Sequence, residues 1–376
     1  MKEIKMVDLE SQYDKIQKEV DAKILEVVKS TAFINGPEVK IFESELASYL
    51  NVKYVKGCAN GTDALQVAMM ALDLKPGDEV ITSNFTYVAT AEAIAVLGLT
   101  PVLVDSYADT FNINVEEIEK AITPKTKAIV PVHLFGQTCE MEAIMALAKK
   151  HNLYVIEDNA QAIAAEYIFS DGTKAKAGTI GHIGTTSFFP SKNLGCMGDG
   201  GAIFTNDDEL YKKINMVANH GQSKMYYHDM IGVNSRLDSI QAAILRIKLR
   251  HLDSYCAARQ KAADYYDNGF KNVKGISTPF RKSNSTHVFH QYVLTLDKSI
   301  NRDALKEYLI EKNIPCNVYY PVPLNKQKAY SLSMNDRDFP VTYQLCETVL
   351  ALPMHTEFET EQQDFIIATV KEFLNK

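Results

Sequence analysis

The sequence is as informative in what it lacks as in what it holds. No window of the 376 residues approaches the roughly 18 to 20 consecutive apolar residues needed to cross a bilayer, which predicts a soluble protein with no membrane partner. There is no CxxC pair. The six cysteines, Cys58, Cys139, Cys196, Cys256, Cys316 and Cys346, are scattered without metal-like spacing, and the opening MKEIKMVDLE carries no apolar signal segment. Reduced thiols, a cytoplasmic location and no metal site are therefore expected. Positive charge is in deficit: 40 Lys and Arg stand against 47 Asp and Glu, giving a net charge of −7. A nucleic-acid binder would usually show a basic face, so that class is disfavoured. Charge runs and low-complexity tracts are absent as well.

What is present is enough apolar material, 46% of residues, to bury a substantial core. At this length one large domain plus a smaller one is expected, with the boundary placed so that residues 1–252 form the first and 253–376 the second. Residues 1–50 read as helical, since Tyr13, Ile16, Val20, Ile24 and Val27 recur at three- and four-residue steps and INGP at 34–37 interrupts them. A strand-like run at 54–57 leads through CANGTD into an apolar-periodic helix ending near Leu72. Beyond it, short β-rich runs at 79–83, 101–105, 128–132 and 153–157 alternate with helical stretches at 89–97, 115–122 and 140–151. Such alternation predicts an α/β fold with a mostly parallel sheet, its ligand sites beyond the carboxyl ends of the strands. FSDGTKAK at 169–176 reads as a polar hairpin or loop, most simply a solvated turn, and a helical stretch after Arg246 runs through Tyr266. Strand-like runs at 290–296 and 316–320 with helices at 302–312 and 360–374 suit a smaller α+β domain.

The stretch from Gly178 to Asn206 organises the rest. It sets one lysine, Lys192, in a turn between β-like runs at 185–189 and 201–205, with Pro190 and several glycines fixing an irregular backbone. A lone Ser-Lys pair is most simply a solvated loop. Other polar or aromatic residues, however, fall at the same strand ends: Tyr87, His133, Gln137, Asp158 and Gln161. Asp158 and Lys192 could be a mere salt bridge, because a carboxylate at a buried strand end requires a cation or several donors. They could equally hold one cofactor. Pyridoxal 5′-phosphate requires a lysine for its Schiff base, a carboxylate for its ring nitrogen, an anion cradle for its phosphate and a flat neighbour for its ring. Gly61 and Thr62 at a helix start, with the Ser187 hydroxyl, offer the cradle, and Tyr87 could stack on the ring. Asn60 or Thr62 as a plain N-cap is the competing reading of that turn.

The residues together resemble the DegT/StrS family of sugar aminotransferases. The likeness is carried by CANGTDALQ at 58–66, GDEVIT followed by FTYVATAEA at 85–93, VIEDNAQA at 155–162, SFFPSKNLGCMGDGGAIFTND at 187–207, GVNSRLDSIQAAIL at 232–245, and YYPVPLNKQ followed by LPMH. The resemblance implies a fold type I architecture with a seven-stranded, mostly parallel sheet in the large domain, and pyridoxal phosphate as cofactor. It implies that Lys192 binds the cofactor covalently and shuttles a proton between cofactor and sugar carbons. Asp158 would pair with the pyridine nitrogen, Gln161 would face the phenolic oxygen side, and Tyr87 would stack on the ring. Gly61, Thr62 and Ser187 would hold the phosphate, joined by Asn234 from a second subunit of a homodimer with shared active sites. Arg236 looks like the family's arginine for the carboxylate of the amino donor, usually glutamate, which a guanidinium fork suits.

The sequence departs from the family pattern at Tyr319 and Tyr320, where many members carry a histidine before the tyrosine. Tyr320 is thus the firmer sugar-pocket candidate, and aromatic packing at a strand edge is the alternative for both. Substrate likeness is strongest to members that aminate the 3-keto group of a UDP-linked N-acetyl uronic acid on the way to diaminouronic acids of surface polysaccharides. Amination of a 4-keto-6-deoxy sugar nucleotide is the second reading. A non-catalytic regulator that keeps the pocket, or a dehydratase in which histidine replaces the lysine, is disfavoured by the presence of Lys192.

Overall fold

The alternation of β-branched runs and amphipathic helices becomes a seven-stranded sheet in the computed structural model, which describes residues 1–330 and 338–376. The strands are β1 (Tyr54–Cys58), β2 (Glu79–Ser83), β3 (Thr100–Val104), β4 (Thr126–Val130), β5 (Tyr154–Asp158), β6 (Ile183–Ser187) and β7 (Gly201–Thr205). Across the sheet the order is β1-β7-β6-β5-β4-β2-β3. β2 lies parallel to β3 and β4, β4 to β5, and β5 to β6. Only β7 reverses, running antiparallel to β1 and β6. Parallel strands covered on both faces are apolar throughout, and Val80, Ile81, Ala128, Ile129, Val155 and Ile156 are all fully buried.

The N-terminal segment forms α1 (Leu9–Ser30) and α2 (Pro37–Leu50). The Asp8 side chain accepts from the Ser11 N–H at the start of α1, and Pro37 opens α2 where a missing N–H costs nothing. Helices α3 (Gly61–Ala71), α4 (Ala89–Val96), α5 (Val115–Ala121) and α6 (Met141–His151) follow the first four strands in turn, and α7 (Asp208–Val217) follows β7. The helical stretch expected after Arg246 is two helices, α8 (Ser239–Leu249) and α9 (Leu252–Gly269). The break lets the chain change partners, because α8 packs on α1 and α2 whereas α9 packs on the C-terminal helix. Arg246 secures the first contact by pairing with Glu38 at 2.7 Å and Glu45 at 2.8 Å on α2.

A second, antiparallel sheet of β8 (Ile276–Ser277), β9 (Tyr292–Leu296) and β10 (Val349–Leu352) sits with α9, α10 (Arg302–Glu311), α11 (Pro340–Thr348) and α12 (Thr360–Leu374). Its core is continuous with aromatic residues near the large sheet: Phe85, Phe111 and Phe135 share one buried cluster with Tyr266, Tyr292 and Leu350. The polar segment at 169–176 closes the hairpin of Glu166–Ile168 and Lys174–Lys176, the first of its two readings. The strand expected at 316–320 does not form. Among the described residues one isolated bridge, Asn317 to Ala351, is the pairing there, and Pro315 and Pro321, which donate no N–H, prevent its extension into a longer ladder at either end.

Candidate active site

The carboxyl ends of the parallel strands open onto a cavity of about 710 Å³. Nine of the residues singled out from sequence line it together: Gly61, Thr62, Tyr87, Asp158, Gln161, Ser187, Lys192, Tyr319 and Tyr320. They arrive from β1, β2, β5, β6 and the segment before residue 321, so tertiary folding alone brings them into reach. This is the location that an open α/β sheet reserves for ligands.

One wall is the start of α3. Asn60 is the N-cap, its side chain accepting from the Asp63 N–H at 2.8 Å, so the plain capping reading holds for Asn60. The N–H groups of Gly61 and Thr62 remain at the cavity, where a helix has unpaired donors and its positive end. Chain packing here is too close for a side chain at position 61. A Cβ added to Gly61 would sit 2.6 Å from the Cβ of Ser187, and one on Gly201 would sit 2.5 Å from the backbone of Asn60. Backbone donors and a hydroxyl thus converge on one point, a cradle suited to a phosphate.

At the end of β5, Asp158 is 5% exposed. Its Oδ2 accepts from the Thr90 hydroxyl at 2.7 Å and its Oδ1 from the Ala160 N–H at 3.1 Å. Among the described residues it forms no ion pair with Lys192, so the simple salt bridge is not what joins them. Two donors fix the orientation of the carboxylate.

Lys192 sits in the turn after β6, where its own N–H donates to the Phe189 carbonyl at 2.8 Å. Burial pulls its ammonium down to about 8 from the usual lysine range, and the charge of Asp158 opposes that pull only in part. An amine with that value is substantially neutral at mildly basic pH and can act as nucleophile or base. The Gln161 amide is engaged at both ends, its Oε1 accepting from the Phe135 N–H at 2.8 Å and its Nε2 donating to the Tyr320 hydroxyl at 3.1 Å. Tyr320 is packed against Phe85 and Phe135, with ring centroids at 5.9 Å and 6.4 Å, and burial pushes its phenol well above its ordinary value. Tyr87 stands at the mouth, 58% exposed, its ring 6.3 Å from that of Tyr320.

Asn234 and Arg236 are not brought to this cavity. Asn234 is exposed and bridges to Asn219, while Arg236 lines a separate cleft of about 670 Å³ with Lys40, Glu43 and Lys56. Ser235, between them, does reach the site from behind. Its hydroxyl donates to Asp63 at 2.7 Å and accepts from the Ala59 N–H at 3.1 Å. Among the wall residues that escaped the sequence reading are Thr90, which holds Asp158, and His290. Thr90 lies inside the FTYVATAEA block, but nothing local in the sequence marks it; His290 lies at the edge of an expected strand.

The chain matches the DegT/DnrJ/EryC1/StrS aminotransferase family over residues 14–371. It is 46% identical to the UDP-2-acetamido-2-deoxy-3-oxo-D-glucuronate aminotransferase of Pseudomonas aeruginosa, covering 98% of this chain and 99% of that one. It is 44% identical to the pleiotropic regulatory protein of Geobacillus stearothermophilus, over 98% of each. Among solved structures it superposes on DesV of Streptomyces venezuelae with a TM-score of 0.95 at 37% identity, covering 100% of both chains.

Proposed function

Because the chain belongs to the DegT/DnrJ/EryC1/StrS aminotransferase family, whose members are pyridoxal-phosphate-dependent, we propose that it moves the amino group of glutamate to a keto sugar nucleotide, with a UDP-linked 3-keto-N-acetylglucosaminuronate as acceptor. The observation that carries this reading is the meeting of Lys192, Asp158, Tyr87 and the Gly61-Thr62-Ser187 cradle in one cavity. The 46% identity to the P. aeruginosa enzyme supports the choice of acceptor.

The residues fit pyridoxal phosphate. Gly61, Thr62 and Ser187 would hold the phosphate, Asp158 would meet the ring nitrogen, Tyr87 would stack on the ring, and Lys192 would bind the aldehyde carbon. When bound, the cofactor supplies an electron sink for a carbon losing its proton. The chain supplies the rest. Lys192 Nζ would take a proton from the donor carbon and return one to the sugar carbon, a role that its lowered pKa permits near neutral pH. Asp158, oriented by Thr90 and Ala160, would pair with the protonated ring nitrogen. Gln161 and Tyr320 form the polar wall toward the sugar. Asn234 and Arg236 enter the cavity of a second copy, Asn234 at the phosphate and Arg236 at the glutamate carboxylate. That assignment accounts for an exposed Asn234 and for an Arg236 outside its own chain's cavity. Cytoplasmic residence of a homodimer follows as part of the same reading.

The purified protein given pyridoxal phosphate should show a visible absorbance band that glutamate bleaches and a 3-keto sugar nucleotide restores. Restoration by 4-keto-6-deoxy substrates alone would move the enzyme to the second acceptor class. The 44% identity to a regulatory protein favours one other reading, a cofactor-binding regulator. A band that glutamate leaves untouched would support it.

A further inference from the structure

The PLNKQ block at 323–327 stands outside the cavity lining, yet it is fastened to the sheet that carries the cavity. Leu324–Lys326 form a single 3-10 turn. Asn325, at its centre, exchanges two hydrogen bonds with Asn84, the residue that follows β2. The Asn325 N–H donates to the Asn84 Oδ1 at 2.9 Å, which fixes which way round the Asn84 amide lies, and the Asn84 Nδ2 donates to the Asn325 Oδ1 at 2.9 Å. A third bond runs from the Leu324 N–H to the Asn84 carbonyl at 3.2 Å. Asn84 is fully buried, so its amide has to be met by such partners. The Asn325 Nδ2 goes on to donate to the Tyr343 hydroxyl at 2.9 Å, on α11. That helix is itself capped from the large sheet. The Asp105 carboxylate, just past β3, accepts from the Val341 and Thr342 N–H groups at 3.0 and 2.8 Å and from the Thr342 hydroxyl at 2.7 Å.

The pair joins two parts of the cavity wall. Asn84 lies shortly before Tyr87 and Asn325 shortly after Tyr320, and those two rings stand 6.3 Å apart. Between Tyr320 and the turn the chain has little freedom, because Pro321 and Pro323 fix φ and Leu324 is buried. The two sides of the joint differ in stiffness. β2 is hydrogen-bonded to β3 and β4, and the Asn84 N–H donates to the Val104 carbonyl at 2.9 Å. Residues 316–320 have the single bridge at Asn317. When the pair is broken, the segment with Tyr319 and Tyr320 is therefore the side that yields.

We propose that Asn325, paired with Asn84, is a positioning residue for the acceptor sugar, holding Tyr319 and Tyr320 opposite Tyr87 at the separation the sugar requires. The proposal rests on the transaminase reading given above. Lys192, Asp158, Gly61, Thr62 and Ser187 lie on other elements, β5, β6, the start of α3 and the turn after β6. The half-reaction with glutamate draws on those residues and is left alone. The half-reaction with the sugar depends on the joint.

Both halves are read on the holoenzyme by visible absorbance. Glutamate bleaches the band, and UDP-linked 3-keto-N-acetylglucosaminuronate restores it, or a 4-keto-6-deoxy sugar nucleotide if that alone restores it in wild type. Failure of this cycle in wild type sinks the transaminase reading itself. Asn325→Ala removes the acceptor for the Asn84 Nδ2 and the donor to Tyr343, at a half-buried turn. The half-saturating sugar concentration should rise about tenfold, the value of a lost buried hydrogen bond, while bleaching by glutamate stays within about twofold of wild type. Asn325→Asp keeps an oxygen for the Asn84 Nδ2 and one for the Tyr343 hydroxyl, and should stay within about threefold of wild type on the sugar. Asn325→Ser, too short to reach the Asn84 Nδ2, should show the same split as Asn325→Ala and decides if the alanine variant does not fold. An unchanged sugar dependence, an equal loss in both half-reactions, or an Asn325→Asp defect as large as that of Asn325→Ala would overturn the proposal.

Discussion

The floor of the cavity and the GVNSRLD segment are both strongly patterned in the sequence, yet the fold treats them oppositely. On the floor, Asp158, Gln161 and Tyr320 find hydrogen-bond partners within the chain, and Lys192 is set by a turn in its own loop. In the segment at 232–236, only Ser235 is tied to the site, while Asn234 is exposed and Arg236 sits in another cleft. A folded chain leaves an arginine outside its own pocket at little cost, because the side chain stays hydrated. Under the function proposed above, residues adjacent in one motif would serve different active sites, one in each copy of the chain.

The floor is tested hardest by Lys192→Ala. This variant should lose the visible band and at least about a thousandfold in turnover while melting near wild type, since the nucleophile is removed and no core contact is lost. Retained turnover would dismiss the lysine. The segment is tested by Arg236→Ala, expected to weaken glutamate on the order of tenfold to a hundredfold in KM, the value of a charge-assisted pair. The two defects then combine in one measurement. If Arg236 serves the neighbouring copy, co-expressing Lys192→Ala with Arg236→Ala should restore about a quarter of wild-type sites, because half of randomly paired dimers are hybrids with one intact site each. Restoration confined to background would place both residues in one chain's site and dissolve the contrast.

Smaller effects grade the floor itself. Gly61→Ala drives a methyl into Ser187, so the apparent Kd for pyridoxal phosphate should rise on the order of tenfold, read by titration of the visible band. Thr90→Val removes one donor from Asp158 and leaves the Ala160 N–H. A slowing of the glutamate half-reaction by about threefold to tenfold is expected in stopped-flow absorbance, with the fold unaltered.

Legibility followed the same division. Strand positions read from the sequence fell within two residues for β1 to β7, because buried parallel strands are apolar runs bounded by turn residues. The α8–α9 break and the missing strand at 316–320 were not legible. The first depends on which helices each half packs against, and the second on prolines whose effect is decided by whether a neighbouring strand needs their N–H. Thr90 and His290 gave no local sign at all, since a helix threonine and a pre-strand histidine are unremarkable until Asp158 and Lys192 are beside them.

By itself the sequence determined the alternating elements, the lysine in its turn and the carboxylate at a strand end, because periodicity and residue chemistry are local properties. Only the tertiary structure decided that Lys192 and Asp158 share a cavity without pairing, that Thr90 and His290 attend them, and that Arg236 does not. Those outcomes depend on which surfaces pack together, and packing joins residues from strands and loops far apart in the chain.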